Sequence, residues 1–407
     1  MAGTSEMKNT EVGLIPRDWE ICNVGGEFSF LRNNSLSRDQ LNSAGGAVKN
    51  VHYGDVLIRY GEVLNADKVF IPFINDNVDI VLSPKNLLQD GDVVFADTAE
   101  DEAAGKATEI YGIGGQKVVA GLHTMPIRPI NRTFAKGFLG YSFNAAYYHD
   151  QLKVFMQGTK VISISKKALQ ETFLVFPTYM DEQKKIVDAL GSIDTLILDL
   201  EKAIDKKRLM KQGSMQQLLS GKVRLKGFSK PWNEMELGQL ADIKRGSMLK
   251  SSEYQFGTIP VIAGGITPAG YHNVANRTGR TITVSASGAN AGYVSMHVGP
   301  IFATDCSTIS EAKDKSYYID FVYQYLVLHQ QDIFRAQTGG AQPHIHPKDI
   351  SPMKIEVPDY DEQFKIATYL STMDKEIAAL EAERDKYKNI KQGMMQKLLT
   401  GQIRLPV

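Results

Sequence analysis

The sequence predicts an α+β protein in which two globular domains alternate with two long helices. A stretch from Asp181 to Leu225 recurs from Asp361 to Leu405 without a gap, with about half its positions identical. Both copies space their apolar residues as a coiled-coil seam does. The segments ahead of them mix strand-like runs between Gly and Asn turns with aromatic, helix-spaced stretches, and their interiors barely align.

Residues 1–178 form the first domain, opened by Gly13-Leu14-Ile15-Pro16-Arg17-Asp18-Trp19, with Val24-Gly25 just beyond. Val93–Ala96 and Lys117–Val119 are predicted strands, and Phe138 to Phe155 a helix packed on their sheet. Gly112-Ile113-Gly114-Gly115 lacks the following helix and acid of a dinucleotide site and reads as a turn.

Residues 179–222 are the first long helix. It starts soon after Pro177 with Asp181 in the turn that the helix dipole favours for acids. Leu190, Ile193, Ile197, Leu200 and Ile204 alternate at spacings of three and four, Lys207 interrupts the pattern, and Gly221 stops the helix. From 181 to 220 such a helix is roughly 60 Å long at 1.5 Å per residue, which suggests a spacer. A long core helix in a larger domain is the plainer alternative, but two matching seams offer each other a partner.

The second domain, 223–358, opens with Gly227-Phe228-Ser229-Lys230-Pro231-Trp232 and then Leu237-Gly238. It contains a predicted strand at Thr281–Val284 and a predicted helix from Tyr317 to Phe334. Near the two domain ends, QGTKVISISKKAL (Gln157 to Leu169) matches QTGGAQPHIHPKDI (Gln337 to Ile350) in pattern, which sets Lys160 against Gly340. The second helix, 359–407, repeats the seam as Leu370, Met373, Ile377 and Leu380, is interrupted at Arg384 and Tyr387, and stops at Gly401.

Composition narrows the function. The 407 residues are 43% hydrophobic and 23% charged, enough apolar content to build cores. Lys plus Arg equals Asp plus Glu, so only a local basic face could hold nucleic acid. Cys22 and Cys306 are too few for a disulfide framework or a zinc cluster, no apolar run is long enough for a bilayer, and the start is polar; a cytoplasmic location is expected. There is no GxxxxGK(S/T) loop for ATP and no Asn/Asp-Pro-Pro-Tyr/Phe motif of an adenine methyltransferase. Asp359, Glu362 and Lys365, like Glu182 and Lys184, faintly suggest a nuclease cluster. They fall at helix starts, where acids serve as caps, and read as structural.

The paired DEQ and LL(S/T)GxxRL helices, the GFSxxW-like openings and Ile259 to Asn273 (IPVIAGGITPAGYHN) together resemble the specificity subunit of type I restriction-modification systems, over essentially the whole chain. GLIPRDW departs a little from the usual opening. The resemblance implies two target-recognition domains, each reading half of a split, asymmetric DNA site, and two helices that pair antiparallel and set the spacing. It also implies two modification (methyltransferase) subunits, restriction (translocase and endonuclease) subunits, and no catalysis or cofactor of the chain's own. S-adenosylmethionine, ATP and Mg are expected on the partners, and no membrane is involved.

The candidate DNA contacts are polar and cationic residues in turn-rich stretches. In the first domain they are Arg32, Asn33, Asn34, Ser35 and Arg38, with Lys160 placed to meet phosphate. In the second they are Lys244, Arg245 and Ser247, then Asn273, Asn276 and Arg277. Ser287 and Asn290 lie in a run of small residues, and Gln337, Thr338, Gln342 and His344 in a polar run. Each has an ordinary alternative as a solvated loop or turn residue. His344 with His346 lacks the further ligands that a metal would need. Two rival function classes are an enzyme in its own right, such as a small nuclease, and a coiled-coil scaffold whose tandem domains bind protein.

Overall fold

The structure, a computed structural model, describes residues 6–158, 160–339 and 342–405. It is a mixed α/β chain that resolves into two compact units, one comprising 1–199 with 384–407 and the other 200–383. The boundaries fall inside the long helices, Met180–Leu218 and Tyr360–Leu398, each 39 residues. Each unit is therefore a domain plus half of either helix, not a consecutive segment.

In the first unit a five-stranded sheet has the order Phe28–Phe30, Thr124–Pro129, Val93–Ala96, Ala107–Tyr111, Val63–Asn65, antiparallel except for the last pair. Beside it Lys49–Val51 pairs in parallel with Val118–Ala120 and antiparallel with Phe73–Ile74. A ribbon of Trp19–Asn23 and Phe173–Pro177 leads out to the long helix. All four residues of Val93–Ala96 are buried, as a central strand covered on both faces requires.

The second unit repeats this plan on an unrelated interior sequence. Its sheet runs Ile243–Arg245, Cys306–Ser310, Arg280–Ser285, Val294–Val298. Ile259–Ile262 pairs in parallel with Phe302–Ala303 and antiparallel with Gly270–His272. Asn233–Glu236 and Lys354–Val357 form the ribbon. Each predicted single helix is broken in two, as Phe138–Phe143 with Ala146–Lys153 and as Ile319–Leu328 with Gln330–Arg335. The first break comes where Asn144 donates its side-chain amide to the carbonyls of Ala107 and Gly140, anchoring the turn to the sheet.

The repeated motifs turn out to be contacts within each unit. In the first, Glu182 is 1% exposed and accepts two hydrogen bonds from Arg404, at 2.7 and 2.6 Å. In the second, Glu362 does the same with Arg224, at 2.7 and 2.6 Å, and also accepts from the Trp232 indole. The glutamine of each DEQ is buried as well. Gln183 accepts from the Ala135 amide and donates to the Pro177 carbonyl; Gln363 does so with Tyr318 and Pro358. The acids that suggested a nuclease are thus bound up in packing.

The lysine of KQG has an equally fixed place. Lys391 lies 2.6 Å from both Glu62 and Asp194. Burial pushes its pKa down, but the two carboxylates outweigh burial and hold the ammonium above its ordinary value. Lys211, in the equivalent place of the other helix, meets one carboxylate, Asp374, at 2.5 Å. Met395, Leu398 and Leu399 pack with Ile186 and Leu190 in the first unit; Met215, Leu218 and Leu219 pack with Ile366 and Leu370 in the second. Leu190, Ile197, Leu200, Ile204, Leu370, Met373 and Ile377 are all buried, and Ile193 and Leu380 half-buried.

Both helices end at leucine, three residues before the glycine expected to stop them, and Gly221 and Gly401 take left-handed φ values of +66° and +68°. Gly401 also lies against Pro16 and Trp19, where a Cβ would come within 2.4 Å of Pro16. Removing one member of a buried ion pair leaves the other charge unpartnered, at about 3–5 kcal/mol. Arg404→Ala and Arg224→Ala, each of which strands a carboxylate that is 1% exposed, are expected to lower unfolding free energy by that order in urea titrations, whereas truncating the exposed pair Lys354–Glu234 should leave it nearly unchanged.

Candidate nucleic-acid interface

The matching topology gives each unit the same set of loops at one end of its sheet. In the second unit, chain leaves the sheet at Arg245 and Ser285 and enters it at Cys306. Gly246 is obligatory there, because a Cβ would sit 2.2 Å from the Thr304 carbonyl. The loop is clamped by Gly246 N–H to Cys306 O, Ser247 N–H to Ala303 O, and Leu249 N–H to the Thr304 hydroxyl. This leaves Arg245 and Ser247 exposed on a fixed backbone, with Lys244 bridged to Asp242 at 2.7 Å.

The loop after Ser285 joins them. Ser287 donates to Asp305 and forms a β-bridge with His344. His344 and Thr338 close a tight hairpin by exchanging backbone hydrogen bonds of 2.8 and 2.9 Å. Gln337 ties the hairpin to the small-residue loop by donating to Ala291 O. Thr338 and Gln342 are exposed and Asn290 is half-buried. The fold therefore gathers Arg245, Ser247, Ser287, Gln337, Thr338 and His344 around one sheet end.

Asn273, Asn276 and Arg277 lie apart from that group. Asn273 is exposed and donates to Gln255. Asn276 uses both ends of its amide on the Ala303 backbone, and Arg277 is held by Thr308 and the carbonyl of Asn276. These last two brace the junction of the two sheets.

In the first unit the corresponding loops follow Phe30 and Ala96 and precede Thr124. Arg32 and Ser35 are exposed, and Asn33 donates to Thr124 O. Asn34 is spent on Ala120, Leu36 and Asn50. Asn33, Asn34 and Ser35 line an open cleft of about 530 Å³ with Asp79, Asp97 and His123. Arg38 pairs at 2.8 Å with buried Asp55 and abuts His52, so it braces a helix start. Burial, followed by the Arg38 cation, pushes the His52 pKa down.

Lys160 is exposed in a hairpin that Gln157 and Ser163 close by exchanging backbone hydrogen bonds, at 3.1 and 2.9 Å. The two closures align Gln157 with Thr338, which corrects the sequence pairing of Lys160 with Gly340 by one residue; Gly340 itself lies outside the described residues. Among the described residues no group of three or more His, Cys, Asp and Glu could hold a metal ion, and no helix is long and apolar enough to cross a membrane. Sequence reasoning missed His123 and Asp305, single residues in short turns whose place is set only by strand pairing.

Comparison with known proteins agrees with this architecture. The family model described as type I restriction modification DNA specificity domain matches twice, over residues 16–207 and 229–391. A type I restriction enzyme specificity subunit of Methanocaldococcus jannaschii, MjaVIII, is 22% identical over 96% of this chain and 94% of its own. The fold is similar to that of the type I restriction-modification S subunit from M. genitalium, with a TM-score of 0.61 at 18% identity over 93% of this chain and 96% of that one. A chain from a structural study of type I system assembly gives 0.58 at 17% identity, over 96% and 99%. The chain belongs to the type I restriction-modification DNA specificity family.

Both hairpins depend on a glycine with positive φ. At Gly158 (+114°) a Cβ would lie 1.9 Å from Val161 O, and at Gly339 (+92°) 2.7 Å from Gln342 O. Gly158→Ala and Gly339→Ala are expected to raise amide exchange at the two closures roughly tenfold or more, from the cost of a left-handed non-glycine residue. Exchange in the sheet strands should not change.

Proposed function

We propose that this specificity subunit reads one half of a split DNA target with the loop end of each unit, and that its paired helices hold the halves at a set spacing. Being a specificity subunit, it supplies sequence recognition and not catalysis. The observation that carries the reading is one strand topology, used twice, presenting different side chains at equivalent loops: Arg32, Ser35 and Lys160 in one, Arg245, Ser247 and Thr338 in the other. A constant frame with variable loops is what reading two different half-sites requires.

The ruler role draws on the helices. The contacts Glu182–Arg404 and Asp194–Lys391 have counterparts in Glu362–Arg224 and Asp374–Lys211, a pattern that suits a pseudo-twofold, antiparallel coiled coil. Thirty-nine residues amount to roughly 58 Å of helix, more than one DNA turn of about 34 Å. A duplicated scaffold also offers equivalent docking faces to two methyltransferase subunits, with restriction subunits joining them. Those partners, not this chain, would carry S-adenosylmethionine, ATP and Mg. The assembly would work in the cytoplasm.

Long-read mapping of adenine methylation in cells carrying this gene and its methyltransferase should reveal a split, non-palindromic motif that vanishes on deletion. Loss of no motif, with the methyltransferase expressed, would refute the assignment. Four residues inserted near Asp199 add about 6 Å of helix, and should change the spacing by one or two base pairs while both half-sites stay the same. Changed half-sites at constant spacing would refute the ruler.

A further inference from the structure

Among the described residues only His123 and Lys315 combine a side chain with positive φ, and His123, at +53°, sits in the turn that enters Thr124–Pro129. Glycine would adopt that conformation with less strain. The histidine is held all the same. Its Nδ1 is 3.3 Å from Asp97 Oδ1, its ring meets Tyr53 edge-on at 5.3 Å, and it remains half exposed on the cleft beside Asn33 and Ser35.

The second unit has a contact across the same two loops, offset by one residue: Ala286 stands where Asp97 does, each donating its backbone N–H across to Asp305 O and His123 O, and Ser287 stands where Thr98 does. Asp97 is the first residue after Val93–Ala96, and Ser287 the second after the equivalent strand Arg280–Ser285. His123 precedes Thr124–Pro129, and Asp305 precedes the equivalent strand Cys306–Ser310. Ser287 donates to Asp305 across the same two loops. Each unit thus links its central strand's loop to that of the neighbouring strand through side chains: His123 and Asp305 share one position, and the hydroxyls of Thr98 and Ser287 share the other, with Thr98 Oγ1 3.5 Å from His123 Nδ1. A non-glycine residue held in a left-handed turn stores strain, and such positions cluster at binding and active sites.

We infer that this bridging pair is a base-reading element in each domain: Asp97–His123 orients an imidazole toward one half-site, and Ser287–Asp305 a carboxylate toward the other. The Asp305 carboxylate, with Ser287 on one oxygen, accepts from an exocyclic amine on a major-groove edge, cytosine N4 or adenine N6. His123 offers its outer nitrogen, Nε2, because Nδ1 faces Asp97. This rests on the assignment of the loop ends to DNA.

The test is methylation of a randomised duplex library by the full chain assembled with its methyltransferase, comparing wild type with His123→Gly and Asp305→Asn. Each variant should lose discrimination by about tenfold or more at one base pair, in opposite halves of the motif, with spacing unchanged. The base pair relaxed by Asp305→Asn distinguishes cytosine from adenine. His123→Gly should also keep or raise the thermal midpoint, since glycine relieves the turn. Unchanged preferences in both variants, or uniform weakening at all sequences, would overturn the inference. If His123→Gly fails to fold, Asp305→Asn alone decides it. A wild-type complex with no split motif would instead sink the DNA-reading assignment itself.

Discussion

Two buried carboxylates organise this protein. Glu182 and Glu362 stand in the first turns of the long helices, almost without solvent, and each is satisfied by a forked guanidinium that follows the end of the other helix. A buried charge without its partner is costly, so the start of one helix and the tail of the other are obliged to meet. The planar fork of arginine fits both carboxylate oxygens at once, which lysine cannot do. The neighbouring glutamines fasten the same helix starts to the domain backbone, and Lys391 and Lys211 repeat the ionic contact further along.

That constraint separates what is held constant from what is free to vary. Helix starts, tails, ribbons and the openings with Trp19 and Trp232 make up a frame whose contacts are specific and mostly buried. At the far ends of the strands, the loops need only keep their backbone closures. Gly246, Gly158 and Gly339 meet that need through conformations or contacts that a Cβ would block. Between such fixed points the side chains differ completely from one unit to the other.

The same division explains the neutral net charge. Most cations in the frame are committed to carboxylates, as Arg224, Arg404, Lys391 and Lys211 are, and add nothing to the affinity of a DNA face. At the loop ends Arg32, Lys160 and Arg245 stand exposed. On the proposed reading, a chain of this kind would gain little from counterion release alone and would rely on shape and base contacts.

Much of the frame was legible in the sequence. The two long helices, the burial of their spaced apolar residues, the strand at Val93–Ala96 and the structural nature of the acids at the helix starts follow from periodicity, capping preference and duplication, all local properties. Other features are set by pairing between distant segments. Asn276 and Arg38 looked like free polar residues, yet one is spent on the Ala303 backbone and the other on buried Asp55. Asp97 and His123, or Ser287 and Asp305, come together only because the strands beside them are neighbours in a sheet. Sequence by itself determined the repeated elements and the family, because each repeat carries its own apolar spacing and caps. The tertiary structure alone decided which polar residues remain available for recognition, because that depends on partners far along the chain.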